Sequence, residues 1–163
     1  MANEGRKLES LMEKSRGRST GFTKTIMPKS MTADEVIRLI NEKPGAIVAT
    51  VRKDGSPHTA WNALAYVDDR LYTYAHPHSV CYRNLKRDRR VSAAVISGDK
   101  AVFMDGEANE VGQVSKLFDT LLARILSVAK NWMPERGYNY TSLRECQGSI
   151  FEVTITRILS WKP

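Results

Sequence analysis

Val36, Ile37, Leu39 and Ile40 recur at helical spacing in an otherwise polar stretch, so residues 32–43 are expected to form a short amphipathic helix. Thr32 and Glu35 stand as a capping box at its start, where a hydroxyl and a carboxylate satisfy orphan amides. Pro44 and Gly45 end it, because proline disfavours helical geometry at Lys43 and glycine turns freely.

Beyond this helix the pattern changes to short apolar, β-branched runs separated by turn residues. Residues 46–52 (AIVATVR) predict a strand, Lys53-Asp54-Gly55-Ser56 a hairpin turn, and residues 57–67 (PHTAWNALAYV) the returning strand. Pro57 falls at the first position, where a missing amide does least harm. Asp68-Asp69 makes the next tight turn before a third strand at 70–75. A fourth strand spans 91–96, Ser97-Gly98-Asp99 turns the chain, and a fifth spans 101–111. Gly106 inside the fifth points to a bulge or a close backbone approach. The last strand is residues 149–161.

Two helices interrupt the series. Residues 79–88 form a short one, and 113–130 a longer one with Leu117, Leu121, Leu122, Ile125 and Val128 on one face, closed by Trp132-Met133-Pro134. Six hairpin-connected strands with helices outside predict a mainly β, α+β fold: a six-stranded antiparallel barrel with flanking helices. Residues 1–30 are polar, basic and rich in Ser, Thr and Gly, with only Leu8, Leu11 and Met12 to line one face of a short helix. They read as a mobile arm ahead of one domain at 31–163.

The chain has 163 residues, 42% of them hydrophobic and 26% charged, which suits one domain able to bury a core and excludes a disordered composition. Cys81 and Cys146 have no CxxC or metal-ligand spacing and read as free thiols of a reducing compartment. No stretch is long and apolar enough for a membrane-spanning helix, and the N-terminus lacks a secretory apolar core, so the cytoplasm is expected. The net charge of +7 favours an anionic partner, whether nucleic acid, anionic lipid or a phosphorylated small molecule. Arg83, Lys86, Arg87, Arg89 and Arg90 form its densest cluster.

Motifs for a serine nucleophile, a P-loop, a zinc protease or a dinucleotide-binding turn are absent. His76-Pro77-His78 matches no common zinc spacing, and no metal is expected there. The segment 74–90, YAHPHSVCYRNLKRDRR, is more informative: a strand ends, Ser79 stands as N-cap, and a helix begins. Such a start presents free amides and the positive end of a dipole, which suit a phosphate, although a capped helix with a solvated basic face has the same pattern.

The order of elements here resembles the pyridoxamine 5'-phosphate oxidase-like flavin-binding split-barrel family. That family's run of a strand ending in Ala-Thr, a D-G-x-P hairpin, an aromatic-rich short strand, a Ser-headed helix and a D-P-R-V strand entry is matched in order. Here the pieces read Ala49-Thr50, Asp54-Gly55-Ser56-Pro57, Leu71-Tyr72-Thr73-Tyr74, Ser79 with Asn84-Leu85, and Asp88-Arg89-Arg90-Val91. The resemblance covers residues 32–111 and, more loosely, 148–161.

The resemblance implies a homodimer that binds FMN at its interface and works as a flavin-dependent oxidoreductase, with NAD(P)H a candidate reductant. The ring would lie along Ala60, Trp61, Asn62 and Ala63; the phosphate would sit near Tyr74, Ala75, His76, Ser79, Cys81 and Arg83. Two positions depart from the family: its phosphate-binding lysine is Cys81 here, and a basic residue common on the second strand is Ala60. The deazaflavin F420, haem held by His76 or His78, or loss of the cofactor are therefore alternatives. The oxidase that makes pyridoxal phosphate is not expected, because its substrate-binding C-terminal region has no clear match. A nucleic-acid-binding module using residues 83–90 is the alternative from another class, but aromatic residues do not interleave with that cluster. Substrate choice falls to the insert 112–147, with Tyr138 and Tyr140, and to the arm.

Overall fold

The computed structural model describes residues 5–43, 45–111, 116–129, 145 and 148–163. In chain order its elements are α1 (Arg6–Gly17), α2 (Gly21–Ile26), α3 (Ala33–Glu42), β1 (Ala46–Val51), β2 (Pro57–Asn62), β3 (Leu64–Val67) and β4 (Arg70–Ala75), then α4 (Val80–Arg87), β5 (Arg90–Ser97), β6 (Lys100–Glu110), α5 (Lys116–Ala129) and β7 (Ser149–Trp161). The capping box predicted at Thr32 is complete: Glu35 N donates to Thr32 Oγ1 at 3.2 Å, and Thr32 N to a Glu35 carboxylate oxygen at 2.8 Å. Lys162 also binds that carboxylate, at 2.8 and 3.0 Å, and so ties the end of the chain to α3.

The strands form one antiparallel sheet in the order β2-β1-β5-β6-β7-β4-β3. Its two outer strands, β2 and β3, are consecutive in the chain, and Ala63 alone separates them. The sheet is therefore curled until its two ends meet at one residue. This explains the difference between six predicted strands and seven observed: residues 57–67 serve both ends, Pro57–Asn62 pairing with β1 and Leu64–Val67 with β4. At the break, Thr73 Oγ1 donates to the Ala63 carbonyl at 3.0 Å and satisfies an acceptor that has left the ladder.

Side chains alternate across this sheet. Val48, Leu64, Leu71, Val95, Val102, Met104, Phe151 and Ile158 belong to a central core that Val36, Leu39 and Ile40 of α3 join. A second core lies on the other face of β3, β4 and β7, where Ala63, Ala65, Tyr72 and Ile150 meet Phe118, Leu121 and Leu122 of α5. The side chains of Leu117, Ile125 and Val128, and the segment Trp132-Met133-Pro134, lie outside the described residues, as do Pro44, Tyr138, Tyr140 and Cys146. The bulge expected at Gly106 is present as a register shift between Asp105 and Gly106, and a Cβ on Gly106 would collide with the Thr154 carbonyl.

Residues 6–17, within the segment read as a mobile arm, form a helix that lies against β7 with Leu8 buried. The reason is an open strand edge. Pairing of β7 with β4 ends at Val153, so the backbone beyond it needs other partners on that side. Ile158 N donates to Ser15 Oγ at 3.1 Å, Met31 N donates to Ser160 Oγ at 3.0 Å, and Lys162 N donates to the Lys29 carbonyl at 3.3 Å. Arg16 fastens the following turn through the carbonyls of Met27 and Pro28 and the Ser30 hydroxyl. No helix among the described residues is long and apolar enough to cross a membrane.

Candidate cofactor site

The residues singled out in the sequence gather where β2 breaks into β3 and β4 runs into α4, but they divide between the two faces of the sheet. Trp61 pairs in register with Ile47, whose side chain is half exposed on the outer face. Ala63 and Tyr74 belong to, or pack on, the outer core beneath α5. Ala60 pairs with the buried Val48, and Asn62 with the buried Ala46, so both share the inner parity. Ala75 and Cys81 lie in the central core.

Gly45 shapes the outer part of this site. A Cβ at that position would sit 2.5 Å from the Asn62 carbonyl oxygen and 2.5 and 2.7 Å from two carbons of the Trp61 indole. The ring therefore lies over Gly45, just ahead of β1 and two residues before its register partner Ile47. The sequence marks Gly45 only as a helix stop. Its role under Trp61 follows from strand register, which no local pattern reveals.

On the inner side, Asn62 Nδ2 donates to Cys81 Sγ at 3.1 Å. Burial pushes the Cys81 thiol above its ordinary range, an effect the Asn62 contact partly opposes. One turn further on, Asn84 Nδ2 donates to the buried Thr50 Oγ1 at 2.9 Å, and Thr50 Oγ1 lies 3.4 Å from His58 Nδ1. These contacts hold α4 across β1 and β2. Burial, then the Arg52 charge, lowers the His58 pKa.

Ser79 is the N-cap of α4: its hydroxyl accepts from Tyr82 N at 3.0 Å. His76 Nδ1 accepts from His78 N at 3.2 Å, and the two rings stand 5.4 Å apart. Burial and then the His78 charge lower the His76 pKa. No group of three or more metal-ligating side chains occurs among the described residues. Arg83 is exposed on the first turns of α4.

The rest of the basic cluster is engaged within the chain. Lys86 pairs with Glu110 at 2.5 Å, Arg89 with Glu107 at 2.5 Å and Arg90 with Asp88 at 2.6 Å, while Arg87 donates to the Val51 carbonyl. These are surface pairs of small individual worth. Their consequence here is that much of the positive charge read between 83 and 90 has an acidic or carbonyl neighbour.

A groove of about 450 Å³ lies towards the other end of β1, lined in part by Thr50, Arg90, Ser92, Asp105 and Glu107. None of the ten residues named for the cofactor lines it.

A curled antiparallel sheet whose ends meet at a broken strand, with a capped helix beginning beside the break, is the split-barrel class of fold. The chain belongs to the pyridoxamine 5'-phosphate oxidase family, whose model matches residues 32–162. Among solved structures it is similar to the haem storage protein HutZ from Vibrio cholerae, with 16% identity, 78% of this chain and 93% of that one covered, and a TM-score of 0.61. A FAD-binding protein from Mesorhizobium loti is similar at 21% identity over 81% and 93% of the two chains, with a TM-score of 0.59. An F420 reductase is similar at 19% identity over 73% and 92%, with a TM-score of 0.58. Comparison with curated proteins finds no match.

Proposed function

We propose that this protein is a cytoplasmic flavin-binding oxidoreductase that works as a homodimer, with FMN held at the subunit interface. The observation that carries the reading is the placement of Trp61, Ala63 and Tyr74 on one face of the sheet, beside the N-terminus of α4, in a chain whose family model spans residues 32–162. Aromatic and small side chains on a sheet surface suit a flat ring, and a helix start suits a phosphate. The similar structures named for FAD, F420 and haem support a flat redox cofactor on this fold and make F420 and haem the alternatives to FMN.

The residues fit such a group in part. Trp61 over Gly45 offers a flat apolar surface, and Ser79 with the first amides of α4 offers donors. Ala60 is apolar, and Cys81 is a buried thiol whose raised pKa disfavours the thiolate, so neither offers a cation to the phosphate. Arg83, one helical turn from Ser79 on α4, has an exposed side chain and is the cation proposed to meet the phosphate. When bound, the flavin supplies hydride or electron transfer. This chain's part is to hold the ring against Trp61, and the phosphate at Ser79 and Arg83. Its outer sheet face, with Ile47, Ile96 and Phe103 exposed at 50%, 55% and 44%, supports a second copy that completes the cleft.

The test is titration of the purified protein with FMN, F420 and haemin, followed by absorbance. Saturable FMN binding, weakened roughly tenfold by Trp61→Ala as expected for loss of a stacked aromatic ring, is the anticipated result. Reduction of the bound FMN by NAD(P)H would extend it to turnover. Failure of all three ligands to bind would overturn the reading.

A further inference from the structure

Where β4 parts from β7 the chain leaves a cavity. Their pairing ends at Val153, and α1 reaches the β7 backbone at Ile158, through Ser15. Between these points β7, α1 and the turn at Asp69 border a space of about 350 Å³. Its apolar wall is Leu8 and Leu11 of α1, Leu71 of β4, and Val153 and Ile155 of β7. None of the ten residues named for the cofactor lines it, so the site is separate from the flavin reading.

Tyr66 of β3 also lines this cavity and is only 6% exposed. Its backbone is paired with the Asn41 side chain, whereas its hydroxyl makes no hydrogen bond among the described residues. Every fully buried side-chain polar atom among those residues has a partner. The Tyr66 hydroxyl therefore keeps the little exposure this side chain has, and the cavity is the space it opens to. Burial first, and then the charge of Asp69, pushes its pKa up to about 12, so at neutral pH it keeps its proton and donates. Asp69 lines the same cavity; its Oδ1 accepts the Gly5 amide at 2.8 Å, which leaves Oδ2 to accept from elsewhere.

We propose that this cavity binds an uncharged molecule with an aliphatic body and one hydroxyl, of the size of a medium-chain alcohol, its hydroxyl accepting from Tyr66 and donating to Asp69. The volume sets the size: at about 30 Å³ for each water-sized group, the space holds on the order of a dozen non-hydrogen atoms. The aliphatic body displaces water from the leucine, valine and isoleucine side chains, and the single hydroxyl fixes its orientation. A charged ligand gains nothing here. Lys7 and Arg70 balance Asp69 and Glu152 around the cavity, and Arg70 already pairs with Glu152 at 2.8 Å. A carboxylate head at Tyr66 would also meet the charge of Asp69.

Titration of the full chain with 1-octanol, followed by calorimetry and by amide NMR, tests this. Saturable binding is expected, with shifts centred on Leu8, Tyr66 and Ile155. Octanoate has the same chain length but carries a charge, and is expected to bind roughly tenfold more weakly. Tyr66→Phe should weaken octanol binding roughly three- to tenfold, the worth of one hydrogen bond. It should keep the native thermal midpoint, because the lost hydroxyl bonds nothing in the folded chain. Leu11→Trp, at a partly buried position of α1, fills the space and should abolish binding. That variant decides the matter if Tyr66→Phe fails to fold. Binding that does not saturate, or shifts centred elsewhere, would overturn the proposal. So would octanoate binding as tightly as octanol, or an octanol affinity unchanged in Tyr66→Phe or Leu11→Trp.

Discussion

Asn62 Nδ2 donates to Cys81 Sγ at 3.1 Å, and this contact fastens the end of β2 to the first turn of α4. This amide–thiol pair holds the inner side of the candidate cofactor site, next to the point where the sheet breaks. In a Cys146→Ser variant, Cys81 is expected to resist Ellman's reagent in the native state and to react on unfolding. Burial both excludes the reagent and disfavours the thiolate. Asn62→Ala should cost about 1 kcal/mol by denaturant titration, the scale of one hydrogen bond, and should speed the thiol reaction.

Gly45→Ala tests the support beneath Trp61. The new methyl group would press on the Asn62 carbonyl oxygen, which is backbone, as well as on the indole. A loss of about 1–3 kcal/mol is expected from overpacking, with a shifted tryptophan emission spectrum in the free protein. Unchanged emission would mean that the ring does not rest on Gly45.

His58 and His76 give stability a pH dependence of known sign. The folded-state pKa of His58 is lowered from 6.5, first by burial and then by Arg52, so the neutral form is the one the fold favours. His76 is lowered likewise, by burial and then by His78. Their contribution is fully present above about pH 6.5 and is lost as pH falls through the folded values. The urea midpoint should therefore decline between pH 7 and pH 5, and His58→Gln should flatten part of that decline. A decline of equal size in His58→Gln would remove His58 from the explanation.

The edge of β7 predicts the effect of changing Ser15. Its hydroxyl accepts the Ile158 amide and is itself buried, so Ser15→Ala would leave a buried donor without a partner. A loss of about 1–3 kcal/mol is expected. Hydrogen exchange should show faster exchange at Ile158 than in the native chain, with α1 loosened from β7.

Local pattern accounts for much of what the chain became. Thr32 and Glu35 meet across one helical turn, Ser79 caps the helix that follows it, and Gly106 marks its bulge. In each case the interacting groups lie within a few residues or share a backbone requirement. The turn at Asp68-Asp69 is local too, with φ of 50° and 59°, both left-handed, in a tight hairpin.

What the sequence by itself determined was the kind and order of these elements, because apolar spacing and turn chemistry act over a few residues. Tertiary structure decided which surfaces they meet. A run such as 57–67 does not show that Ala63 divides it between the two ends of a sheet, since its partners, β1 and β4, are chosen by closure of the barrel. Ser15 reads as one polar residue in a basic arm until β7 outruns β4 and leaves an amide at Ile158 to be satisfied. The placement of Trp61 over Gly45 and of Asn62 against Cys81 likewise depends on register and on the path of α4. Those are properties of the packed sheet, and no single segment carries them.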